Sequence, residues 1–175
     1  PMEPYPLKKV EIPSADLGNR CLLFAGIGWY TRLEFPYLNN IMEQGEYVHI
    51  EKAGLKIYPE YGTYSDFNAL PDSIFLYIAD ENNVVTDVVK DYLGKQVQGG
   101  KLVKDDLFLG NTYYYFDVTQ FMKEELGASG KYKHNLQLVF NSDDYTKTLK
   151  NLTFSAPNGQ NPIILQLNYK IYESY

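Results

Sequence analysis

The sequence predicts an all-β fold, a two-sheet antiparallel β-sandwich of jelly-roll topology that also carries two short helices. Its 17 tyrosines and 9 phenylalanines suit the pleated, half-buried surface of a sheet. Segments in which apolar and polar residues alternate recur along the chain, and turns rather than regular helices separate them. About eight or nine strands fit this pattern. A chain of 175 residues is long enough to close one core around them.

The first strand is predicted at 21–28, CLLFAGIG, where the apolar run is interrupted by Gly26 and Gly28. Glycines at such places typically mark a bulge or a tight bend. The next segment, WYTRLEF, continues as a strand, in which Trp29 has the same parity as Leu33. We therefore expect Trp29 to lie in the core.

A first short helix is predicted after Pro36 and is expected to end at Gly45. Its apolar side would be formed by Leu38, Ile41 and Met42. The segment 47–58, YVHIEKAGLKIY, resumes strand spacing but changes parity between Val48 and Ile50 on one side and Ala53, Leu55 and Ile57 on the other. A β-bulge near 51–54 would restore a single apolar face.

Later segments complete the predicted sandwich. The segment 74–80, IFLYIAD, is apolar on both sides, which indicates a central strand or one covered by a helix. The segment 82–94 is left open, because its valines recur at helical spacing although β-branched residues disfavour helices. Further strands are predicted at 101–109, 134–140, 151–155 and 163–172.

The segment 111–127, NTYYYFDVTQFMKEELG, changes from strand spacing to helix spacing. Alternate residues of its first half are apolar, namely Tyr114, Phe116 and Val118. This pattern predicts a half-buried strand with one face toward the core. Asp117 or Thr119 can cap the second short helix, and Gly127 is expected to end it.

The charge balance argues against several classes of partner. A formal net charge of −6 and a pI near 4.9 oppose binding to nucleic acid and to anionic membranes. No apolar stretch approaches the roughly 18 residues that a membrane span requires. The single cysteine, Cys21, cannot form an intramolecular disulfide and is interpreted as a buried, inert thiol.

Three stretches, in this order, resemble a family of Bacteroidetes-type surface lipoproteins whose C-terminal domain has no known function. They are LFAGIGWYTRLEFPYLNNI at 23–41, VHIEKAGLKIYP at 48–59 and YYFDVTQFM at 114–122, followed by the closing strand ILQLNYKIY. The FDVT turn and the closing strand also look, more loosely, like carbohydrate-binding jelly-roll modules. Neither resemblance transfers catalytic or ligand residues to this chain.

The resemblance implies the C-terminal domain of an exported protein, whose lipid anchor would lie on a missing N-terminal part. The opening PMEPYP is interpreted as the start of a piece cut from a longer polypeptide, within a linker. We expect residues 1–20 to be a linker or edge segment and residues 21–175 to form one β-sandwich domain. The expected function is that of a noncatalytic extracytoplasmic module at the cell surface or outer membrane, which binds glycans. A structural or docking domain of an envelope protein complex is the alternative, and a glycoside hydrolase is less favoured.

Five tyrosines are the candidate ligand-binding residues, because flat aromatic faces can stack on sugar rings. They are Tyr58, Tyr61 and Tyr64, in and beside one loop, and Tyr113 and Tyr115, on the outward face of a strand. Asp66, Asn68 or Asn111 could bind sugar hydroxyls. The competing interpretation is that these rings cover the edge of the sandwich, pack beneath the short helices or contact another domain.

No catalytic residues and no metal ligands are predicted. His49 and His134 lack the spacing that metal sites or acyl-transfer triads need. A structural calcium ion near Asp80 is one interpretation of the oxygen-rich turn at 80–83, DENN. The spacing matches no calcium loop, so a polar turn is the favoured interpretation, and no cofactor is expected.

Overall fold

The structure is a computed structural model, and it describes residues 11–43, 47–65, 67–91, 93–94, 96–105, 111–129, 134–141, 148–156 and 161–172. Within them, the main sheet contains β2 (Thr31–Leu33), β3 (Tyr47–Ile57), β4 (Ser73–Ala79), β5 (Val85–Val88), β6 (Gly99–Val103), β7 (Tyr113–Asp117), β8 (Asn135–Val139) and β10 (Ile164–Tyr172). The small sheet contains β1 (Arg20–Phe24) and β9 (Asn151–Ser155). The helices are a 3-10 helix at Ser14–Leu17, α1 (Asn39–Met42) and α2 (Thr119–Ser129).

The strands of the main sheet run β10-β3-β7-β6-β4-β8-β2, and every pair is antiparallel. β5 pairs with β4 on the far half of that strand, beyond the stretch that pairs with β6. The sheet is strongly curled and resembles half of a barrel. The prediction of an antiparallel β domain is confirmed, whereas this strand order does not show the jelly-roll topology.

One segment connects the two sheets. After β3 leaves the main sheet, Pro59 forms a bridge with Phe154 of β9, and the Glu60 N–H donates to the Thr153 carbonyl at 2.8 Å. The Phe154 ring meets the Tyr114 ring of β7 edge to face, with centroids 6.4 Å apart. Leu23, Leu152 and Phe154 of the small sheet belong to the same buried cluster as the inward residues of the main sheet, so the core lies between the two sheets.

The core contains a close contact between β7 and β6. Phe116 is fully buried, and a Cβ atom placed on Gly100 would lie 2.1 Å from its ring. Glycine is needed at position 100 because the ring occupies the space of a side chain. The neighbouring inward residue, Tyr114, is also fully buried and donates its hydroxyl to the Pro71 carbonyl at 2.7 Å.

The predicted bulge in β3 is confirmed. Lys52 lies opposite Asn168 of β10, but the next paired residue, Ile50, lies opposite Tyr169. Glu51 is therefore the extra residue. Because of it, the buried residues on both sides of the parity change face the same core.

Other local predictions are confirmed in their main features. The segment 74–80 is indeed central, since β4 has neighbours on both edges. Gly26 and Gly28 have positive φ angles of 78° and 72° and form the expected tight bend. The ambiguous segment 82–94 contains the strand β5.

Two predictions were wrong. Trp29 is 37% exposed, because it faces Phe24 across the bend and lies before β2 begins, so the parity of that strand does not apply to it. Gly127 does not end α2, which continues to Ser129; Gly127 has no positive φ and remains helical. Gly45, the expected end of the first helix, and residues 1–10 of the predicted linker lie outside the described residues.

The contact between Phe116 and Gly100 gives a first testable prediction. Gly100→Ala should destabilise the fold by about 2 kcal/mol, because the methyl group would overlap the Phe116 ring and force it to move. Gly99→Ala is the matched control, since its Cβ would face outward and meet Ser73 Cβ at 3.3 Å. Urea unfolding of the two variants would compare them. If the two variants had the same free energy of unfolding, the proposed need for glycine beneath Phe116 would be contradicted.

Candidate functional site

The strands β3 and β7 lie side by side and bring three of the five candidate tyrosines together on the outer side of the main sheet. Ile57 pairs with Tyr114, so the next residues along both strands, Tyr58 and Tyr113, are outward neighbours. Their ring centroids are 5.4 Å apart, and the rings are tilted by 48°. Because the rings are not coplanar, a flat ligand would stack on one of them at a time.

The third tyrosine lies over a glycine. A Cβ atom on Gly54 of β3 would be 2.9 Å from the hydroxyl oxygen of Tyr115 and 3.0 Å from its Cε2 atom. The missing side chain therefore allows the Tyr115 ring to lie across β3. Lys56, which pairs with Tyr115, places its ammonium nitrogen 5.2 Å from the centroid of the Tyr113 ring. We call Tyr58, Tyr113, Tyr115, Lys56 and Gly54 the tyrosine face.

The side chains of the tyrosine face are half-buried. Each ring is supported by the sheet or by a neighbouring ring and keeps part of its surface in solvent. An ammonium group above an aromatic face is a favourable cation–π contact, worth about 0.5–1 kcal/mol at exposed sites. The face is therefore an ordered aromatic surface that includes the Lys56 ammonium group.

The remaining two candidate tyrosines lie elsewhere. Tyr61 is 68% exposed and Tyr64 is half-buried, and both belong to the loop that follows the bridge to β9. The Asn68 amide closes this loop by donating to the Thr63 carbonyl at 3.1 Å, so it has an internal role. Asp66 lies outside the described residues. The structure thus divides the predicted set into the tyrosine face and this separate loop.

Polar contacts at the end of β7 hold the tyrosine face in place. The Asp117 carboxylate accepts the Thr119 N–H at 3.0 Å, as predicted for the cap of α2. The Thr119 hydroxyl in turn accepts the Ala53 N–H of β3 at 2.9 Å. On the other side of β7, the side-chain oxygen of Gln98 accepts the backbone N–H of Asp117, and the Gln98 side-chain NH2 donates to the Asp117 carbonyl. The Gln98 side chain thus takes the place of a neighbouring strand at Asp117.

Sequence reasoning did not identify a cleft of about 650 Å³ at the opposite end of the main sheet. His134 lies at this cleft and contacts the Glu125 carboxylate through its Nδ1 atom. Arg32 also lines it, and its guanidinium binds Glu34 and Glu11. Glu34 is two residues from Arg32 and on the same side of the strand, so that pair is local. Glu11 and Glu125 come from other parts of the chain, so no local spacing could have indicated their contacts.

The oxygen-rich turn at Asp80 is organised by its own backbone. One Asp80 carboxylate oxygen accepts the Asn82 N–H at 2.9 Å and the Val84 N–H at 2.8 Å. Asn83 takes a left-handed φ of 64° and closes the turn. The described residues contain no group of three or more His, Cys, Asp or Glu side chains that could hold a metal. These contacts support the favoured interpretation of a polar turn.

Comparisons of the chain with protein families, with curated proteins and with solved structures find no match. Within the described residues, no helix has the length and apolar character needed to cross a bilayer. The tyrosine face is thus a candidate site on its geometry alone.

The role of Asp80 can be tested directly. Asp80→Ala should lower the free energy of unfolding by about 1 kcal/mol, because two backbone N–H groups lose their acceptor in a partly exposed turn. Glu81→Ala, at an exposed neighbour, should leave stability unchanged. Millimolar calcium should not shift the thermal unfolding of the parent. A calcium-dependent rise that Asp80→Ala abolishes would favour the ion instead.

Proposed function

We propose that the domain is a noncatalytic binding module that recognises glycans through the tyrosine face. The observation that carries this proposal is the arrangement of Tyr58, Tyr113 and Tyr115 around Lys56 on one outward surface of the sheet. The apolar face of a sugar ring can stack on a tyrosine ring, while its hydroxyl groups can accept hydrogen bonds from an ammonium group.

The support that the rings receive favours binding. Tyr115 lies over Gly54 and Tyr113 packs against Tyr58, so little side-chain freedom remains to be lost when a ligand binds. Rigid aromatic anchors of this kind provide contact area at a low entropic cost. The site is open and shallow, so we expect weak binding to a single sugar unit and stronger binding to repeated units.

The alternative is that the same face docks another protein of an envelope complex. Exposed aromatic residues are common in protein interfaces, so this class uses the same chemistry. A glycoside hydrolase is less favoured, because two of the three carboxylates that line the cleft beside His134 already have partners. Glu34 binds Arg32, and Asp80 accepts two backbone N–H groups.

We further propose that the module is extracytoplasmic, at the cell surface or outer membrane, as part of a lipid-anchored protein. The support is the resemblance to surface lipoproteins at 23–41, 48–59 and 114–122, together with the looser likeness to jelly-roll modules. Surface labelling of intact cells that express the full-length protein would test this location. Label found only after the cells are broken would contradict it.

The glycan proposal predicts the effects of single substitutions. Tyr113→Ala and Tyr115→Ala should each weaken saccharide binding at least about tenfold, because each removes an aromatic face. Tyr47→Ala is the matched control, since Tyr47 is an exposed tyrosine at the opposite end of β3. A glycan array followed by calorimetric titration would measure binding, and circular dichroism would confirm that the variants fold.

Three further results would be informative. Loss of binding in Tyr61→Ala or Tyr64→Ala, with Tyr113→Ala unaffected, would move the site to the loop. Absence of saccharide binding in the parent would remove the glycan proposal. A protein that copurifies from native membranes and is lost when Tyr113 and Tyr115 are changed would support the docking alternative.

A further inference from the structure

Among the described residues, β10 is the strand at one end of the main sheet. It spans nine residues, Ile164–Tyr172, and within the described part of the chain it pairs with β3 alone. Its other edge presents backbone N–H and C=O groups that can pair with another strand. The strand at the opposite end of the sheet, β2, has only three residues.

We propose that this edge joins two copies of the chain, by antiparallel pairing of β10 with the β10 of a second copy about a two-fold axis at Asn168. In this register, apolar residues face apolar residues and polar residues face polar ones. The pairs are Ile164 with Tyr172, Leu165 with Ile171, Leu167 with Tyr169, Gln166 with Lys170, and Asn168 with itself. The pattern of ILQLNYKIY is therefore self-complementary, which is the property that an isologous interface requires.

Other registers are less favourable. A shift by one residue would place inward side chains opposite outward ones, because residues directly opposite in an antiparallel pair share a face. A shift by two residues would place Ile164 opposite Lys170 in one direction, or Gln166 opposite Tyr172 in the other. The register centred on Asn168 is therefore the most favourable one. Because the strand is complementary to itself in this register, a second copy is favoured over an unrelated extended peptide.

The exposure of β10 agrees with an interface. Ile171 is 40% exposed and Tyr172 is 51% exposed, and both would gain apolar neighbours in the pair. Proteins commonly protect a free edge with charge, but the single charged residue of this strand is Lys170. Its ammonium group binds Glu51 of β3, within its own sheet. Lys170 of one copy would also lie opposite Gln166 of the other, so like charges are not opposed.

Charge substitutions at two outward positions test the register. Asn168→Asp places two carboxylates opposite each other at the axis, while each carboxylate also faces Lys52 of its own chain and the monomer stays folded. The dimer should weaken roughly fivefold. Gln166→Glu faces Lys170 of the second copy and should strengthen the dimer by a similar factor. Asn168→Ser is the neutral control, and sedimentation equilibrium measures the dissociation constants.

Cross-linking tests the axis itself. In a Cys21→Ala background, Asn168→Cys should form an intermolecular disulfide under mild oxidation, because the two copies of residue 168 are directly opposite. Gln166→Cys is the matched control and should not cross-link, since it faces Lys170. A parent that remains monomeric at all accessible concentrations would overturn the proposal. So would a dimer that neither charge variant alters, or equal cross-linking at positions 166 and 168.

Discussion

The close approach of Phe116 to the backbone of Gly100 is the contact on which the rest of the structure depends. β7 lies between β3 and β6, and its inward residues fix its position against both neighbours. Phe116 fills the space above Gly100, while Tyr114 donates to Pro71 and meets Phe154 of the small sheet. Burial raises the pKa of Tyr114, so its hydroxyl remains a donor. Because side chains alternate along a strand, packing on the inner side also fixes the outer side.

The same alternation fixes the outward direction of the tyrosines of β7. Tyr113 and Tyr115 alternate in sequence with the buried Tyr114 and Phe116, so they cannot turn inward without exposing the core. The absence of a side chain at Gly54 then lets Tyr115 lie across the neighbouring strand. An aromatic surface held in this way owes its order to the core beneath it. A loop residue such as Tyr61 lacks that support.

Local patterns predicted the features that depend on strand parity. The alternation in 111–118 and the parity change in β3 correctly indicated a half-buried strand and a bulge, because side-chain direction along a strand is a local property. Trp29 was misplaced because it lies in the bend before β2, where the period of two does not hold. Gly127 was misplaced because a glycine inside a helix is only modestly unfavourable, and α2 continues through it.

Long-range partners could not be predicted in the same way. The contact of Tyr58 with Tyr113, and its separation from Tyr61, depend on which strands pair and where β3 leaves the main sheet. The contact of His134 with Glu125 depends on where the chain returns from α2 to the start of β8. Neither contact can be predicted from the spacing of residues in the sequence. The five candidate tyrosines could therefore be chosen from their residue type, but their division into two groups required the fold.

Pairing through β10 would place two tyrosine faces on the same side of one continuous sheet. The strands would follow one another as β7-β3-β10 in each copy, and an antiparallel pair keeps the outer faces of both copies on the same side. The two β7 strands would be five strand spacings apart, about 24 Å along the sheet. Two shallow sites at that separation could bind repeats of one polymeric glycan, and the second contact would form at a high effective concentration. Under the glycan proposal, two open aromatic surfaces that each bind one sugar unit weakly could then together retain a long glycan chain.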